Sequence, residues 1–581
     1  MSNLVQDAKA QINALLAAAQ LKAAAEGLIP EAAPLSGVVE IPKDSANGDF
    51  AANHAMTGAR ALRMAPRKIA DALVANLSLE GSYFVSAEAA GPGFINFRLG
   101  PAWYGAVLAA VSGEGASYGR SEAYKGRRIM VEFVSANPTG PMHMGNARGG
   151  VLGDTLAEVL SRAGAEVSRE FYVNDAGNQI EKFATSIDAR YAQLILGEDA
   201  VEFPEDGYHG DDIRDLAAAF RAEYGDGYLE KPVAERHEAM ARFGLANNLP
   251  KMKADLERYG ISYDSWFMES SLHESGYVAD TAVELTRLGY TYEKDGALWL
   301  ATSRIIAEKL RAAGKSEKEI EKLDLKDDVL RRANGFYTYF AADIAYHRNK
   351  LAVRGFDTAI NIWGADHHGH VARLKAALDA LGLDGEHRLV IVLMQLVKLL
   401  RDGEVVRMSK RTGKAISLTD LLDDVPRDAA RWFFNSRPDT QMDFDLGLAV
   451  REDSENPVYY VQYAHARICS VIRNLAEAGH AVPAPEDIEP AALESGHERE
   501  LIKQLAGLPD ELLHSAEALD PSRINRYAME LAARFHRFYN ACRIKGEAEP
   551  VLKARLLLAD CTRGALEVCL GILGVSAPEH M

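Results

Sequence analysis

One short segment of the sequence carries residue types suited to binding a nucleotide phosphate. It reads Pro-Met-His-Met-Gly-Asn at 141–146, between an apolar run and a helical pattern. A helix N-terminus offers unpaired N–H groups and a partial positive charge, and Gly145 lets a base or phosphate approach without meeting a Cβ. His143 can donate to a phosphate oxygen. The segment therefore indicates nucleotide chemistry, although a His-x-Gly segment alone is more often an ordinary capping loop.

A second segment, Arg-Met-Ser-Lys-Arg-Thr-Gly at 407–413, is suited to holding pyrophosphate. Lys410 supplies a mobile point charge and Arg411 a planar fork of donors, while Ser409 and Gly413 allow the loop to close on developing charge. Most basic triplets are solvated surface turns. This segment becomes informative only in combination with the first one.

The elements around the first segment predict a parallel sheet. The nearly continuous apolar run at 129–134 is typical of a strand buried on both faces, and a helical pattern follows it as far as Gly164. Strand, glycine-containing loop and helix then occur in the order of a nucleotide-binding βα unit. Further strand patterns occur at 171–173, 359–363 and 389–393, and Asp402-Gly403 between apolar arms predicts a hairpin.

Three domains are predicted from the order of these patterns. Residues 1–115 read as an N-terminal α+β domain, and residues 116–450 as a Rossmann-like parallel-sheet catalytic domain with a charged helical insertion at about 191–255. Residues 451–581 carry a purely helical signal and are predicted to form an all-α bundle. The fold class is therefore α/β.

Composition excludes several classes of protein. The chain has 581 residues, 48% of them hydrophobic and 25% charged, with no apolar run long enough to cross a membrane. Neither a disulfide framework nor a structural metal site is predicted, because no Cys-x-x-Cys pair occurs among the four cysteines, Cys469, Cys542, Cys561 and Cys569. A reducing, cytoplasmic location fits best.

The net charge of −18 counts against a nucleic-acid partner unless a local basic face exists, and the sequence does not show where charges converge.

In this order and context, the two phosphate-binding segments resemble the signature motifs of class I aminoacyl-tRNA synthetases. Longer strings resemble the arginyl-tRNA synthetases of that class and extend over almost the whole chain, at 131–143, 172–179, 337–344, 363–369 and 456–467. Two positions depart from the family pattern: Asn146 stands where His is usual, and Arg407 stands where Lys is usual. Asn146 can still donate a hydrogen bond but carries no charge, and Arg407 keeps the charge with altered geometry.

The resemblance implies an arginine–tRNA ligase that acts as a monomer on L-arginine, ATP and tRNA-Arg, with Mg²⁺ accompanying the nucleotide. It implies that ATP contacts His143, Gly145, Asn146, Met408, Ser409 and Lys410. Catalysis is then expected from charge stabilisation by His143, Asn146, Lys410 and Arg411.

The same resemblance implies the residues that bind arginine and tRNA. Glu132, Tyr339 and Asp343 are expected around the guanidinium, which is a planar group that only donates hydrogen bonds. Ser135 and Asn137 are expected at the α-amino end, and either Asp366 or His367 completes the pocket. In the helical bundle, Tyr459, Tyr463 and Arg467 are expected to contact the anticodon region, and the N-terminal domain is expected to meet the tRNA elbow.

Other interpretations stay open at this point. Without the surrounding match, Asp343 would be better explained as a surface ion pair and Tyr339 as core packing. A small-molecule adenylyltransferase shares the His-x-Gly helix start but does not need the helical C-terminal domain. A non-catalytic RNA-binding relative would be expected to lack Lys410 or Gly145, and both are present. Synthetases for cysteine or glutamine are the nearest competitors, and Glu132, Tyr339 and Asp343 argue against them.

Overall fold

The computed structural model describes residues 2–365, 368–395, 397–401, 403–406, 416–437 and 441–581. Its N-terminal part pairs four antiparallel strands in the order β1-β2-β4-β3 and packs helices against them. The elements are α1 (Leu4–Ala25), β1 (Val39–Glu40), β2 (Phe50–Ala52), α2 (His54–Leu62), α3 (Pro66–Ala75), β3 (Phe84–Ala90), β4 (Phe94–Leu99) and α4 (Pro101–Glu114).

A five-stranded parallel sheet forms the centre of the molecule. Its first elements are β5 (Arg128–Glu132), α5 (Gly145–Arg162), β6 (Glu166–Val173), α6 (Asn178–Leu196), α7 (Asp211–Tyr224), α8 (Val233–Arg258) and β7 (Ser265–Met268). A helical segment with a small antiparallel sheet then intervenes, made of α9 (Ser270–Glu274), α10 (Tyr277–Arg287), β8 (Thr291–Lys294), β9 (Ala297–Leu300), α11 (Thr302–Ala312), α12 (Glu317–Glu321), β10 (Asp328–Arg331) and α13 (Tyr339–Arg348). The sheet is completed after a π-helical turn at Asn349–Val353, by β11 (Thr358–Gly364), α14 (His368–Ala380), α15 (Gly385–Arg388) and β12 (Leu389–Met394).

Strand order makes the middle of this sheet a switch point. The order is β12-β11-β5-β6-β7 with every pair parallel, so the chain runs outward from β5 in one direction and from β11 in the other. Ligands of open parallel sheets bind outside the carboxyl ends of the strands at such a point. The predicted parallel sheet is confirmed, and the candidate site is expected beyond Glu132 and Gly364.

The remaining elements join the sheet to a helical bundle. Strand β13 pairs antiparallel with β14 in the predicted hairpin and parallel with β15. These elements are β13 (Val397–Arg401), β14 (Glu404–Val406), α16 (Leu418–Asp424), α17 (Arg427–Asn435), β15 (Met442–Asp445) and α18 (Leu446–Ala449). The bundle consists of α19 (Pro457–Glu477), α20 (Gly496–Ala506), α21 (Leu508–Ala518), α22 (Ser522–Ala541) and α23 (Glu549–Ile572). Within the described residues, no helix is both long and apolar enough to cross a membrane.

Helix α5 packs unusually close to the sheet because glycines face the strands. A Cβ on Gly153 would lie 2.1 Å from Cγ of Phe133, and a Cβ on Gly150 would lie 2.8 Å from Cδ1 of Ile261. Phe133 is almost fully buried and directly follows β5. The close approach brings the N-terminus of α5 over the carboxyl edge of the sheet, where the 141–146 segment lies.

Two buried arginines tie α5 to distant parts of the chain. Arg148 donates to the carbonyl of Gln395 at 2.6 Å and to that of Arg437. Arg431 of α17 donates to Asp154 of α5 at 2.6 Å, to the carbonyl of Leu573 at 2.9 Å and to those of Tyr259 and Gly260 at 3.2 Å each. Arg431 therefore links the helix that begins at the candidate site to the end of α23 and to the chain that directly follows α8.

The packing predicts opposite effects for one substitution at two helical glycines. Gly153→Ala should lower the free energy of unfolding by about 1–3 kcal/mol, because the added methyl meets the buried Phe133 ring. Gly564→Ala in α23 should raise it by about 0.5–1 kcal/mol, because its Cβ meets nothing within 4 Å and alanine is the better helix former. Chemical denaturation of both variants measures the difference. Equal effects would contradict the close packing of α5.

Candidate active site

A cavity of about 370 Å³ opens at the carboxyl edge of the sheet. It brings together five residues that the sequence singled out from distant positions, Glu132, Ser135, Asn146, Tyr339 and Asp343. The other lining residues are Val134, Tyr172, Asn174, Glu269, Tyr346, Asn361, Ile362, Trp363, Gly364, His370 and Met394. Acceptor oxygens and aromatic rings therefore dominate this cavity.

Glu132, the last residue of β5, is buried and paired with a buried lysine. Nζ of Lys350 lies 2.5 Å from Oε2 of Glu132, and the lysine side chain has no exposed surface. The ammonium also donates to Oδ1 of Asn361 at 3.2 Å and lies 4.0 Å from the ring centroid of Tyr346. Removing either charge would leave the other buried without a partner, which is strongly destabilising.

The backbone after β5 makes a tight turn of an uncommon kind. The amide of Ser135 donates to the carbonyl of Phe133 at 3.0 Å, and the residue between them, Val134, has a φ of +69°. A γ-turn of this hand is rare and strained, above all at a β-branched residue. The turn explains why the strand predicted at 129–134 ends at Glu132.

The turn also gives the Ser135 hydroxyl two partners. Its Oγ donates to Oε1 of Glu132 at 3.0 Å and accepts the amide of Tyr172, on the neighbouring strand β6, at 3.1 Å. Strain of this kind persists where surrounding contacts over-determine the conformation, and it clusters at functional sites. Ser135 thus joins the ends of β5 and β6 beneath the cavity.

Asp343 lies on α13, whose first turn Thr338 caps by accepting the amide of Ala341. Two histidines contact its carboxylate: Nδ1 of His347 is 3.0 Å from Oδ1, and Nε2 of His370 is 2.6 Å from Oδ2. Burial raises the pKa of the Asp343 carboxyl, but the two histidines outweigh burial and hold that pKa well below its usual range. Asp343 is therefore ionised at neutral pH.

Tyr339 begins the same helix and faces the same cavity, as its spacing of four residues from Asp343 predicts. Its hydroxyl lies 3.3 Å from Nδ1 of His370, and the two rings stack with their centroids 5.4 Å apart. The tyrosine side of this cavity adjoins a larger one of about 1160 Å³, which Arg332, Phe336 and Arg373 help to line.

The segment at the start of α5 pairs with the chain that follows the second basic segment. The amide of Met144 donates to the carbonyl of Ile416 at 3.0 Å, and the amide of Leu418 donates to the carbonyl of Met142 at 2.9 Å. Nδ1 of His143 accepts the amide of Gly145 at 3.0 Å, which leaves the ring proton on Nε2 as a donor. Residues 407–415 are outside the described residues, but the chain directly after them is thus anchored beside His143.

The other predicted site residues have different outcomes. Asn137 is exposed and is not among the residues that line the 370 Å³ cavity. The predictions for Asp366, His367, Met408, Ser409, Lys410 and Arg411 fall outside the described residues. On α19, the rings of Tyr459 and Tyr463 stack with centroids 6.3 Å apart, and the guanidinium of Arg467 lies 5.8 Å from the Tyr463 centroid.

The sequence interpretation missed several residues that build the cavity. Lys350, Asn361 and His347 form its buried floor, while His370, Tyr172 and Glu269 line its wall. His370 directly follows the string at 363–369, and this position next to a motif could have led to its selection. Lys350 gives no such signal, because a lysine at the end of a helical pattern is normally a solvated surface residue.

Comparison with known proteins finds family models for three regions and relatives over the whole chain. Residues 8–99 match the model of the arginyl-tRNA synthetase N-terminal domain, residues 109–212 that of the class I (R) tRNA synthetase catalytic domain, and residues 461–581 that of the DALR anticodon-binding domain. An arginine–tRNA ligase of Acetivibrio thermocellus is 50% identical, and one of Caldanaerobacter subterraneus 52% identical, each over 100% of both chains. The chain belongs to the arginyl-tRNA synthetase family.

Solved structures of the arginyl-tRNA synthetase family share the fold. A Campylobacter jejuni structure described as an arginyl-tRNA synthetase matches with a TM-score of 0.72 and 35% identity, covering 83% of this chain and 100% of that one. The Thermus thermophilus arginyl-tRNA synthetase has a TM-score of 0.69 at 23% identity, covering 97% and 99%, and supports the fold alone. The family recognised in the sequence and its α/β fold class are therefore confirmed. The adenylyltransferase alternative is set aside, because the matches include the helical C-terminal region.

Loss of the Ser135 hydroxyl should weaken the base of the cavity. Ser135→Ala removes a donor to Glu132 and leaves the Tyr172 amide without its acceptor, so the free energy of unfolding should fall by about 1–3 kcal/mol. The KM for arginine should rise as well. Ser168→Ala, on the same strand as Tyr172, is the control, since no hydrogen bond of its hydroxyl is found in the described structure. Urea denaturation and steady-state kinetics on both variants measure these effects, and identical behaviour would count against the proposed role of Ser135.

Proposed function

We propose that this chain joins L-arginine to tRNA-Arg in two steps that consume ATP. An arginine carboxylate oxygen attacks the α-phosphorus of ATP, so that arginyl-adenylate forms as diphosphate leaves. The terminal 2′-hydroxyl of the tRNA then attacks the adenylate carbonyl, which forms the ester and releases AMP. The observation that carries the proposal is a cavity rich in hydrogen-bond acceptors at the sheet's switch point. It occurs in a chain that is 50% and 52% identical over its full length to two arginine–tRNA ligases.

The arginine side chain is proposed to enter this cavity with its guanidinium toward Glu132, Tyr339 and Asp343. A guanidinium has five N–H donors and no acceptor, so carboxylates and a tyrosine oxygen suit it. Ser135 and Asn137 take the α-amino end, and Asp366 or His367 completes the pocket. A site that hydrogen-bonds a polar side chain rejects analogues lacking it by roughly 10⁴–10⁵, so arginine selection does not require a hydrolytic editing domain.

ATP, with its Mg²⁺, is proposed to bind across the start of α5. His143, Gly145 and Asn146 take phosphate oxygens at the positive end of the helix. The opposite side of the nucleotide is proposed to contact Met408, Ser409, Lys410 and Arg411. The backbone pairing of Met142–Met144 with Ile416–Leu418 supports the proximity of this segment to His143. Asn146 also lines the arginine cavity, so it is suited to the junction of the arginine carboxylate and the α-phosphate. Catalysis then rests on positioning and charge stabilisation.

Binding of tRNA-Arg is proposed to use both flanking domains. Tyr459 and Tyr463 offer stacking faces and Arg467 a cation beside them, which supports this proposal. The N-terminal domain, 1–115, meets the tRNA elbow, and the helical domain, 451–581, meets the anticodon. Between them, 116–450 carries the chemistry. We further propose a monomer that acts in the cytoplasm.

The function is tested by exchange of labelled pyrophosphate into ATP. Exchange should require arginine and should not occur with lysine, glutamine or cysteine, because only the planar guanidinium offers a fork of five donors to the several acceptors of the pocket, whereas the lysine ammonium is a compact group with three donors. The assay is run with and without tRNA-Arg, which also reveals whether activation depends on tRNA. Absence of exchange under either condition would support the non-catalytic RNA-binding alternative.

Lys410 should act mainly in the transition state of activation. Lys410→Ala should lower kcat for adenylate formation by roughly 10²–10³, while the KM for arginine changes little, because charge develops on the phosphates only as the bond to diphosphate breaks. Single-turnover adenylate formation in the presence of tRNA-Arg gives both values. Lys398→Ala, an exposed lysine of β13, is a matched control. Unchanged turnover in Lys410→Ala would rule out this role.

A further inference from the structure

Beneath the proposed arginine pocket runs a continuous line of polar side chains, which begins at the buried Lys350 and ends at the exposed Tyr339. Its contacts pass from Lys350 to Asn361 at 3.2 Å, to His347 at 2.8 Å, to Asp343 at 3.0 Å, to His370 at 2.6 Å and to Tyr339 at 3.3 Å. We call Lys350, Asn361, His347, Asp343, His370 and Tyr339 the hydrogen-bond relay. Only its last part, at Asp343 and Tyr339, was expected to contact a substrate.

The direction of the first three hydrogen bonds follows from the chemistry of Lys350. An ammonium only donates, so the Asn361 atom that faces it is the carbonyl oxygen. The amide nitrogen of Asn361 must then face Nε2 of His347 and donate to it. Since Nε2 accepts, a ring with one proton carries it on Nδ1, which donates to the main-chain carbonyl of Asp343 at 2.9 Å and lies 3.0 Å from Oδ1 of its carboxylate.

The direction of the remaining bonds follows from the ionised state of Asp343. A carboxylate only accepts, so Nε2 of His370 donates to it at 2.6 Å. Nδ1 of that ring then accepts the hydroxyl proton of Tyr339. The ring protons of His347 and His370 and the hydroxyl proton of Tyr339 each face a neighbour inside the protein, and lone pairs of Asp343 and Tyr339 remain for the cavity.

We propose that Lys350 is a specificity-determining residue: by fixing the Asn361 amide and the His347 ring, it keeps the Nδ1 proton of His347 directed at Asp343 and so holds that carboxylate, and Tyr339 beyond it, as acceptors for the substrate. A guanidinium, which only donates, is complementary to that surface. Citrulline, in which a urea oxygen replaces one guanidinium nitrogen, would place an acceptor against these lone pairs. The inference rests on the proposed arginine pocket and adds to it the residue that sets its polarity.

Burial explains why Lys350 can fix these orientations, because solvent water cannot take the place of its ammonium as a donor to Asn361. The lysine has no exposed surface, and Asn361 and His347 are each about 1% exposed. Without the ammonium, the Asn361 amide can rotate and turn its oxygen to His347, which moves the ring proton to Nε2. His347 then no longer donates to Asp343, and the acceptor surface loses its fixed orientation.

The test compares KM for arginine with the inhibition constant of citrulline, during charging of tRNA-Arg by the full chain. Lys350→Met keeps an unbranched side chain without the charge, and it should lower the preference for arginine over citrulline by roughly 10- to 100-fold, the worth of one hydrogen bond to a charged group. Asn361→Leu interrupts the hydrogen-bond relay but keeps the pair of Lys350 with Glu132. Asn361→Leu should also lower the preference for arginine over citrulline, and it serves as the test of the proposal if Lys350→Met does not fold.

Arg354 provides a matched control. It is a cation paired with the buried Glu170, which lies opposite Glu132 in the sheet register. Among the described residues, Arg354 approaches the hydrogen-bond relay only through the ring of Tyr346, which lies outside that relay. Arg354→Met should therefore reduce stability and leave the arginine-to-citrulline ratio at its original value.

A double variant tests the contribution of the buried pair to stability. Glu132→Gln with Lys350→Met removes both buried charges, so stability should recover relative to Lys350→Met alone. Because Glu132 also faces the proposed guanidinium position, this double variant tests stability only, and specificity is read from Asn361→Leu. An unchanged ratio in Asn361→Leu or an equal loss in Arg354→Met would overturn the proposal.

Two further variants distinguish failure of this inference from failure of the pocket itself. Asp343→Asn and Tyr339→Phe should both raise the KM for arginine. If neither does, the proposed arginine pocket is wrong and the inference fails with it. If both do while Asn361→Leu keeps the original ratio, the pocket stands and only the role of Lys350 is overturned.

Discussion

The pairing of Glu132 with Lys350 is the contact on which the candidate site depends. A carboxylate at the end of a central strand is buried by the sheet on one side and by α13 on another, and burial without a counter-ion would destabilise the fold. The ammonium that compensates it comes from the π-helical turn after α13, more than two hundred residues along the chain. This pair brings α13, β5 and β11 into one arrangement, and the cavity is the space above it.

The close packing of α5 on the sheet adds a second constraint of a steric kind. Gly150 and Gly153 leave no space for a side chain, so the helix cannot shift without displacing Phe133 or Ile261. Arg431 then connects the middle of this helix to the end of α23 through Asp154 and Leu573. A helix whose N-terminus lies at the candidate site is thus in direct contact with the domain proposed to bind the anticodon. The strained turn at Val134 and the buried charge of Glu132 both lie at the end of β5, in the part of the sheet against which α5 packs.

These constraints agree with the chemistry of the family to which the chain belongs. Activation of an amino acid needs positioned charges rather than a covalent protein intermediate, and the described residues supply acceptors on one side of Asn146 and a helix N-terminus on the other. Departure from the family pattern at Asn146 removes a titratable group from this junction and keeps a donor. The larger cavity beyond Tyr339 leaves space beside the proposed pocket for a further substrate group.

Much of the fold is legible in the sequence because it depends on local patterns. The apolar run at 129–134, the glycine-containing loop and the helix after it determine a βα unit, and the helical periodicity beyond 456 determines a bundle. The resemblance to the arginyl-tRNA synthetases also implied Glu132, Ser135, Tyr339 and Asp343 as binding residues, and the structure brings all four to one cavity. The small sheet of β8–β10 was not predicted, because its strands are four residues each and carry little periodic signal.

Only the tertiary structure decided how the charges of that cavity are compensated. Lys350, Asn361 and His347 lie on elements that the sequence separates from Glu132, and a buried lysine cannot be told from a surface lysine by its type or spacing. The γ-turn at Val134 was equally hidden, since a β-branched residue ordinarily continues a strand and adopts a positive φ only where tertiary contacts hold it. The sequence by itself determined which helices and strands form, because these follow from local periodicity. Packing decided which charged side chains pair across the sheet, because only the folded structure shows which charges are buried and must therefore have a counter-ion.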